Sequence, residues 1–154
     1  MTAPTSLYDQ DYYLWSQKMA ALLRNKHWDE LDIDNIAEEI ESLGRSERRA
    51  LESNLTILLM HLLKWRYQPA KQTNSWRYTI REHRQRIEKE IKESPSLKPY
   101  LVEIVPEMYE NARQLAADET GLGITVFPSE CPFAIEDILN SDFLPNSASD
   151  QASS

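Results

Sequence analysis

Apolar residues in this chain recur at helical spacing from one end to the other. Tyr8, Tyr12, Trp15, Met19, Leu22 and Leu23 follow one another at intervals that keep one helical face, predicting a first helix over about 9–25. Asp9 and Asp11 suit the positive end of its dipole, and Arg24 and Lys26 the negative end. The aromatic residues at its start are expected to be core. Asp32 is then the expected N-cap of a second helix, over 33–43, with Ile33, Ile36, Ala37, Ile40 and Leu43 on one face and Gly44 as its stop. Ser46 is expected to cap the next helix, which leads through Arg48 and Arg49 into residues 51–67.

That third stretch organises the rest. Ten of its 17 residues are apolar or aromatic, and they cover nearly every side of a helical wheel. A helix apolar all round is buried on most faces, so 51–67 is the expected central post. Further on, Ser75 is the expected cap of a fourth helix to about Glu93, with Trp76, Ile80, His83, Ile87 and Ile91 inward. Pro95 is expected at the first position of a fifth helix. Leu97, Leu101, Ile104, Met108, Ala112 and Leu115 keep one phase across Pro106, predicting one long helix kinked there and ended by Gly121. Residues 122–128 read as a short extended segment, and Pro132 as the start of a small last helix. The pattern as a whole is all-α: a single-domain bundle of about five main helices in 7–145, a flexible 1–6 and a disordered tail, 146–154.

Only three glycines in 154 residues agree with a helical chain. The net charge of −8 argues against general affinity for nucleic acid. The charge is unevenly spread, however. From Lys64 to Lys92 there are nine basic and three acidic residues, against 8 and 22 in the remainder. The helix over 76–92 thus offers a candidate basic face of Arg77, Arg81, Arg84, Arg86, Lys89 and Lys92. The acidic Asp118 and Glu119 at the end of the fifth helix require a nearby cation, for which this basic helix is the expected source.

One cysteine, Cys131, permits no disulfide within the chain and is expected to be a small apolar filler; a reducing cytoplasm is the expected setting. The opening Met1-Thr-Ala-Pro-Thr-Ser6 lacks the basic and apolar regions of a secretory signal, and no aliphatic run approaches a membrane span. No phosphate-binding loop, dinucleotide fingerprint or zinc spacing is present, so no cofactor and no metal is expected.

One polar constellation survives this screen. Asn54, Ile57, His61 and Lys64 form a ridge on the central helix, and Glu39, His61, Lys64, Ser75, Trp76 and Arg84 come from three helices whose polar residues are expected to converge. Such a set can be a buried ion-pair network, an anion site or an acid–base site. A buried imidazole bonded inside the core is the commonest case for His61.

Several short strings occur in a distinctive order: Tyr8-Asp-x-Asp-Tyr12-x-x-Trp15, Glu38-Glu-Ile-Glu-Ser-Leu-Gly44, His61-Leu-Leu-Lys-Trp65, Ser75-Trp76-x-x-Thr79-Ile80, Glu119-Thr-Gly121 and Cys131-Pro132. In this the chain resembles, over roughly 7–145, the bacterial domain-of-unknown-function family number twenty-nine. The resemblance implies a compact helical domain and carries no catalytic or ligand-binding role for any residue. The functional expectation is therefore a protein-interaction or regulatory module without catalytic activity, its partner another protein. The alternatives are nucleic-acid binding through 76–92, with Trp76 and Tyr78 available to stack, and a metal-assisted hydrolase or nuclease using Glu38, Glu39, Glu41 and His61.

Overall fold

The computed structural model describes residues 6–147, and among them every regular element is an α-helix or a 3-10 turn. Of the expected flexible ends, residues 1–5 and 148–154 lie outside the described residues. The chain divides into two compact units, Met1–Ser46 and Glu47–Ser154.

In the first unit the expected helix over 9–25 is split at Asp11. Helix α1 spans Leu7–Gln10 and α2 spans Tyr12–Arg24. Asp11 leaves the helical region (φ −152°, ψ 88°) so that its carboxylate can accept from the Leu14 N–H, 2.9 Å away. Asn25 ends α2, and Lys26 turns the chain with a left-handed φ of 60°. Trp15 and Met19 are the buried apolar residues among the described residues of this unit. The Trp15 indole N–H donates to Asp32 over 3.1 Å, and Tyr8 and Tyr12 pack against its ring.

Gly44 does not stop the second helix. Helix α3 runs unbroken over Ile33–Tyr67, 35 residues, with the expected cap Ser46 inside it. An interior glycine costs a helix only about 1 kcal/mol relative to alanine, and a C-terminal stop needs a left-handed glycine. Among the described glycines only Gly121 has positive φ.

In the second unit, 51–67 is the central post that its pattern predicts. Leu51, Leu55, Leu58, Leu59, Leu62 and Leu63 are fully buried. Around them pack α4 (Asn74–Glu93) through Ile80 and Ile87, and α5 (Leu97–Thr120) through Leu101, Ile104, Tyr109 and Ala112. Thr73, not Ser75, caps α4, accepting from the Trp76 N–H at 3.2 Å. Pro95 lies in the turn before α5, whose cap is Ser96. Helix α5 continues through Pro106 to Gly121, which ends it with φ 74°. At its far end Ala116 is buried in place of Leu115, which is 44 % exposed.

The segment after Gly121 differs from the expected extended chain. Ile124–Val126 forms a 3-10 turn between extended Gly123 and Phe127. This turn lets the Phe127 side chain reach the core, where it meets Tyr67 edge-on at 5.3 Å. The last helix, α6, starts at Ile135 rather than Pro132 and spans Ile135–Leu139. Phe133 and Ile138 anchor this end of the chain in the core.

Candidate functional site

The polar constellation read from the sequence divides into separate groups. His61, Lys64 and Trp76 do come together, with His83 and Glu119 added from α4 and α5. Lys64 is buried (6 % exposed) beneath the Trp76 ring, its Nζ 4.6 Å from the ring centroid and 3.3 Å from Glu119 Oε1. The cation that compensates Glu119 therefore comes from the central helix, not from the basic helix. Lys64 is the last buried polar side chain before α3 ends, which places it opposite the C-terminal turn of α5.

His61 and His83 are both turned back onto their own helices. His61 Nδ1 lies 2.9 Å from the Ile57 carbonyl and His83 Nδ1 2.9 Å from the Thr79 carbonyl. A carbonyl only accepts, so each Nδ1 carries its hydrogen. Burial pushes the His61 imidazole below its ordinary value, opposed by its bond to Ile57. His61 is thus neutral at neutral pH.

The remaining members of the set are elsewhere. Glu39 belongs to the first unit, where both the Tyr8 and the Tyr12 hydroxyls donate to its carboxylate. Those bonds, Tyr12 foremost, hold the Glu39 carboxyl below the usual range, and the bond to Glu39 pushes the Tyr8 phenol up to about 12. Glu38 pairs with Arg45 at 2.7 Å. Ser75 is exposed on the first turn of α4. Arg84 is buried (2 % exposed) and spans two carbonyls at the end of α6, Ile138 at 2.8 Å and Asp137 at 3.2 Å. Among the described residues no group of three or more His, Cys, Asp or Glu side chains is arranged to hold a metal ion.

The basic residues of α4 do not make a uniform face either. Arg77 leans over the Trp65 ring at 5.5 Å, Arg84 is buried, and Arg86 pairs with Glu82 at 2.7 Å. Arg81, Lys89 and Lys92 are exposed. Spacing alone could not separate these roles, because Arg77, Arg81 and Arg84 lie close together on one flank of the helix.

Sequence reasoning also missed buried polar contacts. Asn54 donates to Glu90 Oε1 over 2.9 Å, while Glu90 Oε2 is buried without a hydrogen bond. Burial raises the Glu90 carboxyl above its ordinary range. Tyr100 donates to Glu52, with Arg48 stacked on its ring at 4.5 Å. Cys131 is half-buried, and burial raises its thiol, so it is a poor nucleophile.

The first unit displays what the second hides. Of the 13 large apolar or aromatic residues exposed among the described residues, eight lie within 12–43. On α3, Ile33 is 64 % exposed, Ile40 63 % and Leu43 68 %. With Ala37 and Gly44 they form an outward stripe at intervals of three and four. A Cβ added at Gly44 would meet nothing within 4 Å, so nothing in the chain's own fold requires glycine there.

Among the described residues no helix is long and apolar enough to cross a membrane. No curated protein and no solved structure matches the chain. A family model does match, over residues 7–144 and so over nearly the whole chain, and by it the chain belongs to the family described as Domain of unknown function DUF29.

Proposed function

We propose that this chain is a protein-interaction or regulatory module of the cytoplasm, without catalytic activity of its own, and that the outward face of the first unit is its docking surface. The observation that carries the proposal is the exposed row Ile33, Ala37, Ile40, Leu43 and Gly44. Monomeric proteins seldom leave a contiguous apolar patch of more than a few hundred Å² in water, and patches beyond that size mark interaction sites. The small residues Ala37 and Gly44 within the row favour close approach of another helix. The partner surface that fits is therefore an amphipathic helix with its apolar side turned inward.

Substituting Ile40→Glu tests this. Ile40 is mostly exposed, so the variant keeps wild-type helicity and a melting temperature within a degree or two. Wild-type chain purified under native conditions from its own cells carries a partner at fixed stoichiometry, and the variant has lost it. A variant that unfolds, or that retains the same partner, overturns the proposal.

A further inference from the structure

Arg84 is a buried charge without a buried counter-charge. Its guanidinium uses Nε and one Nη on the carbonyls of Ile138 and Asp137. Among the described residues no carboxylate lies within ion-pair distance of it. Burial lowers its proton affinity, opposed by the charges of Glu88 and Asp137, and the Phe143 ring centroid lies 5.9 Å from the guanidinium carbon. Buried charges are normally paired, because desolvation of an ion costs several kcal/mol.

Beside Arg84 the flank of α4 and the segment after α6 leave two adjoining hollows, of about 180 and 370 Å³. Both are lined by Arg81, Arg84, Ser141 and Asp142, and Arg77 closes the smaller one. Arg77, Arg81 and Arg84 follow one another at intervals of four and three, so one helix flank brings three arginines to the smaller hollow, with Arg81 exposed, Arg77 over the Trp65 ring and Arg84 buried. Among the described residues Arg81 forms no ion pair with a carboxylate. The acidic residues at the rim, Asp142 and Glu88, likewise form no ion pair among the described residues.

We infer that this hollow is a binding site for a phosphate group, either free phosphate or a phosphate monoester of a small molecule. Guanidinium forks match the oxygens of a phosphate in pairs. Arg81 supplies the accessible fork, Arg84 the buried charge behind it, and Ser141, which lines both hollows from the segment after α6, a neutral hydroxyl. Asp142 opposes the ligand. The site thus has a signature in which two neighbouring substitutions act in opposite directions. Arg81→Gln removes the accessible fork, and Asp142→Asn removes the repulsion.

The test is a titration of the full chain with sodium phosphate, and separately with glycerol 3-phosphate, at ionic strength held constant with sodium chloride. Melting temperature and calorimetric heat are the readouts. Saturable binding of either ligand is expected, at least tenfold weaker in Arg81→Gln, severalfold tighter in Asp142→Asn and unchanged in Lys92→Gln. All three substitutions are at exposed positions, so the melting temperatures without ligand stay together. Binding of both ligands identifies the phosphate group itself as the recognised feature, and preference for the ester shows that the larger hollow takes the rest of the molecule. A response that chloride reproduces, or one that Lys92→Gln weakens as much as Arg81→Gln, overturns the inference. So does the absence of any saturable response in wild type and Asp142→Asn alike.

Discussion

Lys64 and Glu119 form an unequal pair, and removing either one has a different consequence. The ammonium is buried, while the Glu119 side chain is 53 % exposed. In Lys64→Met the partner left behind is a carboxylate already half in water, which costs little. The substitution loses an ion pair worth at most about 1 kcal/mol for a half-exposed partner. It also loses the contact with Trp76, worth up to about 2 kcal/mol when desolvated. Against this, a buried ammonium carries a desolvation penalty of several kcal/mol that methionine, of similar length, avoids. The balance is within about 1 kcal/mol of zero, on either side. Glu119→Gln instead leaves the buried ammonium with a neutral amide acceptor and the indole face in place of a counter-charge, and is expected to cost about 1–2 kcal/mol. At about 2–4 °C per kcal/mol for a chain of this size, the second variant melts roughly 2–8 °C below wild type and the first within about 4 °C of it. Urea unfolding followed by circular dichroism gives both values, and the double variant gives the coupling between them. If Lys64→Met is the more damaging of the two, burial and pairing do not offset one another at Lys64.

Other substitutions probe the remaining buried polar groups. Arg84→Met deprives two carbonyls at the end of α6 of charged donors and is expected to cost about 3 kcal/mol in urea unfolding; Arg84→Lys recovers little, since one ammonium does not span both. An Arg84→Met loss below about 1 kcal/mol would contradict this. Glu90 has its folded-state pKa raised, so its contribution to stability is present below the ordinary carboxylate range and is lost as pH rises through the folded value. Glu90→Gln should therefore be more stable than wild type at pH 7, by about 1 kcal/mol for a buried oxygen without a partner, with the advantage gone by about pH 4. His61 behaves oppositely: its folded pKa is lowered, so its contribution is present above about 6.5 and is lost as pH falls through the folded value. His61→Gln is expected to flatten the fall in melting temperature between pH 7 and pH 5, and an unchanged slope would count against a buried neutral imidazole.

What could be read from the sequence followed from periodicity, and what could not followed from its limits. The leucines of 51–67 identify themselves as core because they cover the whole helical wheel, and all six named above are fully buried. Pro106 did not interrupt α5 because the apolar phase on both sides of it is one. Gly44 misled because glycine marks a stop only with a left-handed backbone, and conformation is not written in residue type. The stripe from Ile33 to Leu43 has the spacing of a core face, yet spacing does not show whether the chain possesses anything to cover it. The polar constellation was half legible. Lys64 meets Trp76, as convergence near the central helix required. Glu39 was claimed instead by Tyr8 and Tyr12, which look from their spacing like ordinary core aromatics. Arg84 and Arg81 are three residues apart, and only the chain after α6 makes one buried and the other exposed.

The apolar face of the first unit is proposed to be covered by another protein. The most direct measurement places a photo-crosslinking p-benzoylphenylalanine at Ile40 in one version of the chain and at exposed Gln114 in another, with irradiation in the cells that make it. The expected result is one discrete adduct from position 40 and none from position 114, with the linked residues of the partner spaced as on one side of a helix. An adduct at twice the mass of the chain would identify that partner as a second copy. Equal labelling at both positions, or none at position 40 in a chain of native helicity, would contradict the account.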